Sequence, residues 1–242
     1  MSRASLSEYP IVVLWTIPRS RSTAFERMMI ERGDHHVVDE PYSARYYLSE
    51  SSLSNRFSEV VPDSEPDEIL SRLKEAAKHR PVFVKDMAYQ ARGLITPEFI
   101  GNFTNTFLVR EPVGAVASLS LKWPDFTEEE AGYTALLEAF HIVTETTGEK
   151  PHVVEADELA RNPERTAAEY CKAVGIEFVP DSLNWAPGMA DEWVRWQDWY
   201  SGVAESTGFQ VPRPVPKELP ADPRKRAIVE RAQLVYHELL AG

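Results

Sequence analysis

The stretch that most constrains this chain is a strand, loop and helix pattern over residues 11–33. Residues 11–17 form an unbroken apolar and β-branched run that includes one threonine, as in a strand buried on both faces of a parallel sheet. From Ala24 onward the apolar spacing is helical, and Gly33 stands where a helix C-cap is expected. A strand is therefore predicted to turn into a helix through residues 18–23, Pro-Arg-Ser-Arg-Ser-Thr.

The turn at residues 18–23 has the chemistry of a phosphate or sulfate site. A strand-to-helix turn aims backbone N–H groups and the positive end of the helix at one point. Guanidinium and hydroxyl groups join them here, from Arg19, Arg21, Ser20, Ser22 and Thr23. A plain helix N-cap at Ser22 or Thr23 between two surface arginines is the alternative. The turn is not a Walker A loop, because it contains no glycine and lacks the Gly-x4-Gly-Lys-Ser/Thr spacing.

Length and charge restrict the class of protein. A chain of 242 residues suits a single α/β domain over residues 1–242. The 38 acidic and 26 basic residues give a net charge of −12, which argues against a nucleic-acid or anionic-membrane partner. Cys171 is the only cysteine, so no disulfide framework is expected. Because no run reaches the roughly 20 apolar residues of a membrane span, we expect a soluble, cytoplasmic protein.

Four further apolar runs alternate with helical patterns. They are predicted as strands over residues 35–41, 81–87, 104–109 and 151–155. Short strands alternating with helices favour a three-layer α/β/α fold with a central parallel sheet of about five strands. Thr127 and Glu130 predict a capping box at the start of a long helix reaching about Thr147.

Two segments are predicted as additions to this fold. Residues 42–66, with several tyrosines and serines, are expected to form a mobile insertion or a lid over the site. Residues 181–242 are expected to be a helical, tryptophan-rich C-terminal part. Within it, residues 181–209 predict an aromatic helix whose rings either pack on the sheet or wall an acceptor pocket, with packing favoured.

Charged residues end two of the predicted strands. Glu40 follows the second strand, and Lys85 and Asp86 end the third. Ligands of open α/β sheets sit outside the carboxyl ends of the strands, so Glu40 is expected near residues 18–23 if the two strands are parallel neighbours. The alternative is an exposed glutamate before a turn. No metal site is predicted, because the adjacent histidines 35 and 36 have no third ligand at a suitable spacing.

The turn resembles the loop that grips the 5′-phosphosulfate in the sulfotransferase family, Pro-Lys-Ser-Gly-Thr-Thr or Pro-Arg-Ser-Gly-Ser-Thr. The matching positions are Pro18, Arg19, Ser20, Ser22 and Thr23. Arg21 stands where the family commonly has glycine. Because arginine costs more than glycine in a left-handed backbone conformation, either the loop avoids positive φ or Arg21 is an additional anion ligand.

A second motif resembles the same family. Residues 107–112, Phe-Leu-Val-Arg-Glu-Pro, followed by Ser118, are similar to the segment that holds the 3′-phosphate of PAPS (3′-phosphoadenosine-5′-phosphosulfate) through Arg110 and the serine. The family usually closes a basic loop on this phosphate, for which Arg213 and Lys217, and after them the basic residues 224–226, are candidates. The resemblance covers roughly residues 10–175. It implies a P-loop-NTPase-like sulfotransferase fold and PAPS as the donor, with PAP (3′,5′-adenosine bisphosphate) as the product and no metal.

The expected catalytic base is absent. The family often ends its third strand in Lys-Thr-His, whose histidine is the base; here Lys85 matches, and Asp86 and Met87 replace the other two. We therefore choose Glu40 as the base, with Asp86 as the competitor. Lys85 is expected to hold the pKa of Asp86 down and to be a further cation for the transferred group. Asp157 lies in a segment that is scaffolding in the family and receives no catalytic role.

Residues and resemblance together predict a sulfotransferase that moves a sulfuryl group from PAPS to a hydroxyl or amine of a small-molecule acceptor. Sulfuryl transfer needs in-line positioning and neutralisation of developing charge, which Arg19 and the hydroxyls of the turn would supply. Two alternatives stay open: a nucleotide-phosphate-binding regulatory protein without turnover, and a kinase-like phosphotransferase. The sequence predicts neither the acceptor nor the oligomeric state.

Overall fold

A parallel five-stranded sheet forms the centre of the molecule, in the order β2-β3-β1-β4-β5. A computed structural model describes residues 9–62, 64–211 and 220–241. The strands are β1 (Ile11–Thr16), β2 (His36–Asp39), β3 (Val82–Met87), β4 (Thr104–Val109) and β5 (Val153–Glu155). The predicted α/β fold with a central parallel sheet is confirmed.

Helices connect the strands and cover both faces of the sheet. They are α1 (Ser22–Arg32), α2 (Pro41–Leu48), α3 (Pro66–Ala76), α4 (Pro97–Ile100), α5 (Pro112–Lys122), α6 (Glu128–Ala131), α7 (Tyr133–Thr147), α8 (Ala156–Arg161), α9 (Pro163–Val174), α10 (Gln197–Ala204) and α11 (Pro223–Leu240). A short 3₁₀ helix spans Pro180–Leu183. Within the described ranges, no helix is long and apolar enough to cross a bilayer.

Two apolar cores lie on opposite faces of the sheet, because successive strand residues point to opposite sides. On one face, Val13 and Trp15 of β1 pack with side chains of α2, α3, α5, α7 and α11. On the other face, Val12 and Leu14 pack with side chains of α1 and α9. Cys171 of α9 is buried in this second core. The three layers leave the carboxyl edge of the sheet as the place where loops meet.

The long helix predicted from Thr127 to about Thr147 is wrong in one respect, because a break divides it. The capping box is present: Thr127 Oγ1 accepts the Glu130 N–H at 3.1 Å, and Glu130 Oε2 accepts the Thr127 N–H at 2.8 Å. Gly132 then adopts a left-handed conformation with φ 83°. A Cβ at Gly132 would lie 3.1 Å from Cγ2 of Ile17, so the glycine lets the chain pass close beneath the loop after β1.

The lid expected over residues 42–66 is wrong over its first part. Its first residues belong to α2 (Pro41–Leu48), and Tyr42, Tyr46 and Tyr47 of this helix are buried in the core. The following segment lacks regular structure but is tethered, since Arg56 donates to both carboxylate oxygens of Glu130 at 2.7 Å. The aromatic residues of α2 thus contribute to the scaffold rather than to a mobile cover.

Candidate functional site

A cavity of about 710 Å³ opens at the carboxyl edge of the sheet. Its walls come from the segments that follow β1, β2, β3 and β4, from α5 and α10, and from residues 206–211. Cavities of this size hold small-molecule ligands, and this edge is where open parallel sheets bind them. The loop after β1 and Glu40 after β2 both line this cavity. The condition attached to this prediction, that β1 and β2 are neighbouring strands, is wrong, because β3 lies between them.

The loop from β1 to α1 carries two arginines in the left-handed region. The φ angle is 61° at Arg19 and 68° at Arg21, which caps α1. The alternative in which the loop avoids positive φ is therefore wrong, as is the alternative of an N-cap at Ser22 or Thr23. Each such residue costs on the order of 1–3 kcal/mol and persists only where surrounding contacts hold it.

Contacts from β4 and α5 hold Arg19. Its Nε donates to Ser118 Oγ at 2.9 Å, and its carbonyl accepts from Nη1 of Arg110 at 2.9 Å. The ring of Trp199 on α10 lies 5.9 Å below its guanidinium carbon. Arg19, Arg110 and Ser118 all line the cavity, so the two sequence motifs converge on one place.

Asp157 supports the site without lining the cavity, and the sequence interpretation, which gave it no catalytic role, missed its pairing with two arginines. Its Oδ1 accepts from Arg21 Nε at 2.8 Å and lies 3.5 Å from Arg110 Nε. The carboxylate follows β5 and is buried, and so it ties the left-handed Arg21 to the strand-end Arg110. A signal was present in the sequence, since an acidic residue just beyond a strand end reaches the same sheet edge as the two arginines.

Ser20 does not take the role predicted for it. Its side chain is completely buried; its hydroxyl lies 2.6 Å from Thr16 Oγ1 and donates to the Ile17 carbonyl at 2.7 Å. Ser20 thus stabilises the turn from inside. Ser22 and Thr23, by contrast, line the cavity at the start of α1.

This end of the cavity carries an excess of positive charge. Arg21 and Arg110 lie beside the Asp157 carboxylate, whereas Arg19 is bonded to Ser118 and Arg110. Burial lowers the pKa of Arg19, and the Arg110 charge lowers it further. Burial and then Arg21 likewise lower the pKa of Arg110, while Asp157 raises it. Clustered guanidinium groups beside a helix N-terminus favour an anion with several charged oxygens.

Glu40 lines the cavity on its opposite side, with only 6% of its surface exposed. It caps α2 with φ 41°. Its Oε1 accepts from Lys85 Nζ at 2.7 Å, and its Oε2 accepts from Gln90 Nε2 at 3.2 Å. Burial raises the pKa of Glu40, although Lys85 opposes the shift. A carboxylate with a raised pKa, held at a cavity wall, has the chemistry of a general base.

The structure corrects the roles expected of Lys85 and Asp86. Lys85 is completely buried and lies within 2.7 Å of carboxylate oxygens of both Asp39 and Glu40, so its charge is already neutralised. Asp86, also completely buried, accepts the backbone N–H groups of Tyr42 at 2.8 Å and Met87 at 2.7 Å. Lys85 and Asp86 are successive strand residues and therefore point to opposite faces of the sheet. Burial, and then Glu40, raise the pKa of Asp86 well above its usual range. Lys85 opposes this shift, as expected, but it does not outweigh it, so the expected low pKa of Asp86 is wrong.

Aromatic rings form the third part of the cavity wall. They belong to Tyr47, Trp123, Trp196 and Trp199, and Trp123 meets Trp199 edge to face at 4.7 Å between ring centres. The aromatic helix predicted within residues 181–209 is confirmed only over Gln197–Ala204, which contains Trp199 and Tyr200. The start of the stretch belongs to the 3₁₀ helix Pro180–Leu183. Its rings serve both expected purposes: Trp196 and Trp199 line the cavity, while Trp193 packs completely buried against α1.

Two predicted ligands cannot be placed. Arg213 and Lys217 lie outside the described residues. In the part of the chain that the structure describes, no group of three or more His, Cys, Asp or Glu side chains is arranged to hold a metal ion.

Comparison with known proteins identifies the family. The sequence model of the family described as Sulfotransferase domain matches residues 11–237. The branched-chain-amino-acid aminotransferase-like protein 1 of Arabidopsis thaliana is 28% identical over 252 residues, which cover 97% of this chain and 42% of that protein. The chain thus spans less than half the length of this curated relative.

Solved structures share the fold at low identity. The sulfotransferase domain of the Synechococcus PCC 7002 olefin synthase is 14% identical with a TM-score of 0.57, covering 95% of this chain and 97% of that domain. The sulfotransferase domain from the curacin biosynthetic pathway is 13% identical with a TM-score of 0.54, covering 93% of this chain and 98% of that domain. Because the family match runs from β1 into α11, this chain belongs to the sulfotransferase domain family.

Proposed function

We propose that this chain transfers a sulfuryl group from PAPS to a hydroxyl or amine of a small-molecule acceptor. The observation that carries the proposal is the contact of Arg19 with both Ser118 and Arg110, at 2.9 Å each, in the cavity that also contains Glu40. Two anion-binding motifs and a carboxylate base then share one volume. Such an arrangement suits a donor with two separate phosphate groups.

In this proposal, the positive end of the cavity binds the donor. Arg19, the hydroxyls of Ser22 and Thr23 and the N–H groups of the first turn of α1 bind the 5′-phosphosulfate. Arg110 and Ser118 bind the 3′-phosphate, which as a dianion needs charge-assisted hydrogen bonds. Arg21 lines the cavity but pairs with Asp157, so it is not a free ligand for the donor. Arg213 and Lys217 stay predicted ligands of the 3′-phosphate.

Glu40 takes the proton from the attacking hydroxyl or amine. The acceptor oxygen or nitrogen forms a bond to sulfur while the bond from sulfur to the 5′-phosphate oxygen breaks, and the proton moves to Glu40. Negative charge develops on the departing phosphate oxygen, where Arg19 stabilises it. The aromatic wall of Tyr47, Trp196 and Trp199 suits the apolar part of a small acceptor.

Two measurements test the proposal against its alternatives. Thermal-shift titration with PAP, PAPS, ATP and ATP with magnesium should show stabilisation by PAP and PAPS. A preference for ATP with magnesium would support the kinase-like alternative. Transfer of radiolabelled sulfate from PAPS to a panel of phenols, alcohols and amines should show turnover. PAP binding without turnover on any acceptor would support the regulatory alternative.

A further inference from the structure

We infer that Lys85 and Asp39 are positioning residues for Glu40: the ammonium group, shared between the two carboxylates, holds Glu40 ionised and fixed at the cavity wall. This inference rests on the proposed role of Glu40 as the base. It replaces the expectation that Lys85 contacts the transferred group.

The geometry assigns Lys85 to the carboxylates rather than to a ligand. Its Nζ lies 2.5 Å from Asp39 Oδ1, 2.7 Å from Glu40 Oε1 and 3.6 Å from Glu26 Oε2. The lysine side chain is completely buried. Its ammonium has three protons, so two good hydrogen bonds leave one proton directed to the weaker third partner.

The charges of this cluster show which carboxyl is neutral. Three ionised carboxylates around one ammonium would bury two uncompensated negative charges, which is very costly. Glu26 is the farthest from Lys85, and among the described residues its Oε1 has no hydrogen-bond partner. Burial, and then Asp39, raise the pKa of Glu26 well above its usual range. Glu26 therefore holds a proton, and the remaining charges are one ammonium and two carboxylates.

Asp39 is held from a second side. The hydroxyl of Tyr200 on α10 donates to its Oδ2 at 2.6 Å and lies 3.5 Å from Glu40 Oε1. Burial alone lowers the pKa of Lys85, but the carboxylates of Asp39 and Glu40 outweigh it and raise the pKa well above its usual value. The lysine thus keeps its charge throughout the range in which Glu40 titrates.

Every titratable group that faces Glu40 enters this balance. The groups are Glu26 on α1, Asp39 on β2, Lys85 and Asp86 on β3, Tyr89 in the turn after β3, and Tyr200 on α10. Of these, Lys85 is the single positive charge, and Asp39 is the carboxylate that competes with Glu40 for it. Substitutions at Lys85 and Asp39 should therefore move the titration of Glu40 in opposite directions.

The test follows the Glu40 carboxyl directly by carbon-13 NMR titration, with its signal assigned by its loss in Glu40→Gln. In Asp39→Asn, the ammonium pairs with Glu40 alone, and the pKa of Glu40 should fall. In Lys85→Met, the nearest positive charge is lost, and this pKa should rise by about one to three pH units. Lys78→Met is the matched control, because Lys78 pairs with Glu75 on the exposed surface.

The pH profile of kcat/KM gives a second readout that a merely structural role would not move. Its acid limb should shift down in Asp39→Asn and up in Lys85→Met, while PAP affinity stays unchanged. Glu26→Gln replaces a neutral acid by a neutral amide and should leave the Glu40 titration in place. A Glu40 signal that shifts in Glu26→Gln as far as in Asp39→Asn would overturn the charge assignment.

The outcomes separate this inference from the proposed function. If Asp39→Asn leaves the Glu40 titration unmoved or shifts it upward, the positioning inference is overturned even though Glu40→Gln is inactive. If Glu40→Gln turns over normally, the base assignment fails instead. Should Lys85→Met not fold, the near-isosteric Asp39→Asn decides the question by the sign of its shift.

Discussion

The two ends of the cavity differ in the sign of their excess charge. At the ends of β1 and β4, three guanidinium groups lie together and two of them pair with Asp157, so positive charge is left for a ligand. At the ends of β2 and β3, carboxylates outnumber Lys85, and Glu40 faces the cavity. The sheet order explains the separation, because β2 and β3 lie together on one side of β1 while β4 and β5 lie on the other. One cavity can thereby bind an anion and still hold a base.

The largest effect on activity is expected when the basic carboxylate of Glu40 is removed and the arginines at the other end are left unchanged. Glu40→Gln keeps the shape of the side chain, and its one amide oxygen can still accept from Lys85, while its NH₂ group can donate to Gln90 Oε1 if the Gln90 amide turns over. The variant should lower kcat by a factor of about 10²–10⁴, the usual contribution of a general base. PAP affinity, measured by calorimetry, should stay at the wild-type value. Normal turnover in Glu40→Gln would show that Glu40 is not the general base.

The next largest effect is expected at the positive end, from Arg19→Ala. Charge on the departing phosphate is greatest in the transition state, so kcat should fall by about 10²–10³ and more than KM for PAPS rises. Steady-state kinetics with varied PAPS separates the two parameters. Arg165→Ala, on the exposed surface of α9, is the control and should match the wild type. If Arg19→Ala kept full kcat, Arg19 would have only a structural role in the turn before α1.

Arg110→Ala tests which phosphate of the donor Arg110 binds, by comparing a ligand that has the 3′-phosphate with one that lacks it. Hydrogen bonds to a charged group contribute about 1.5–3 kcal/mol, so PAP affinity should fall by about 10- to 150-fold. Adenosine 5′-phosphosulfate lacks the 3′-phosphate and should lose much less. Calorimetric titration of both ligands checks this difference. Equal losses would show that Arg110 supports the fold rather than the 3′-phosphate.

The smallest expected effect comes from Gly132→Ala, which disturbs the support of the loop after β1. A left-handed alanine costs about 1–2 kcal/mol, and its Cβ would press on Ile17 at 3.1 Å. Gly148→Ala is a matched control, since Gly148 has φ 74° with nothing within 4 Å of an added Cβ. Both variants should unfold at lower denaturant concentration, but only Gly132→Ala should also weaken PAP binding. Equal PAP affinity in the two would mean that Gly132 does not support the donor end.

Local patterns predicted most of the fold and the place of the site. The buried run at residues 11–17, followed by helical spacing, was enough to find β1 and α1. Strand-end reasoning put Glu40 at the same edge of the sheet as the loop, although it assumed that β1 and β2 are neighbours, whereas β3 lies between them. Orientation was harder to predict. Ser20 lies between two residues that line the cavity, yet its hydroxyl turns inward to Thr16 and Ile17. Nothing local distinguishes it from Ser22.

Long-range pairing accounts for the errors at Arg21 and Lys85. Arg21 tolerates positive φ because Asp157, 136 positions away, holds its guanidinium. Lys85 is neutralised by Asp39 and Glu40, 46 and 45 positions away. Neither pairing is visible in the residues around these side chains, and both decide whether a charge is free for a ligand.

The most direct measurement compares one variant from each end of the cavity by the same two quantities. Glu40→Gln and Arg110→Ala are each assayed for the Kd of PAP and for kcat at saturating PAPS. We expect each variant to lose mainly one property: Glu40→Gln its kcat with PAP affinity intact, and Arg110→Ala its PAP affinity with most of kcat recovered at saturation. A Glu40→Gln enzyme that loses PAP binding together with kcat would contradict the separation of the two ends, as would an Arg110→Ala enzyme as inactive at saturation as Glu40→Gln.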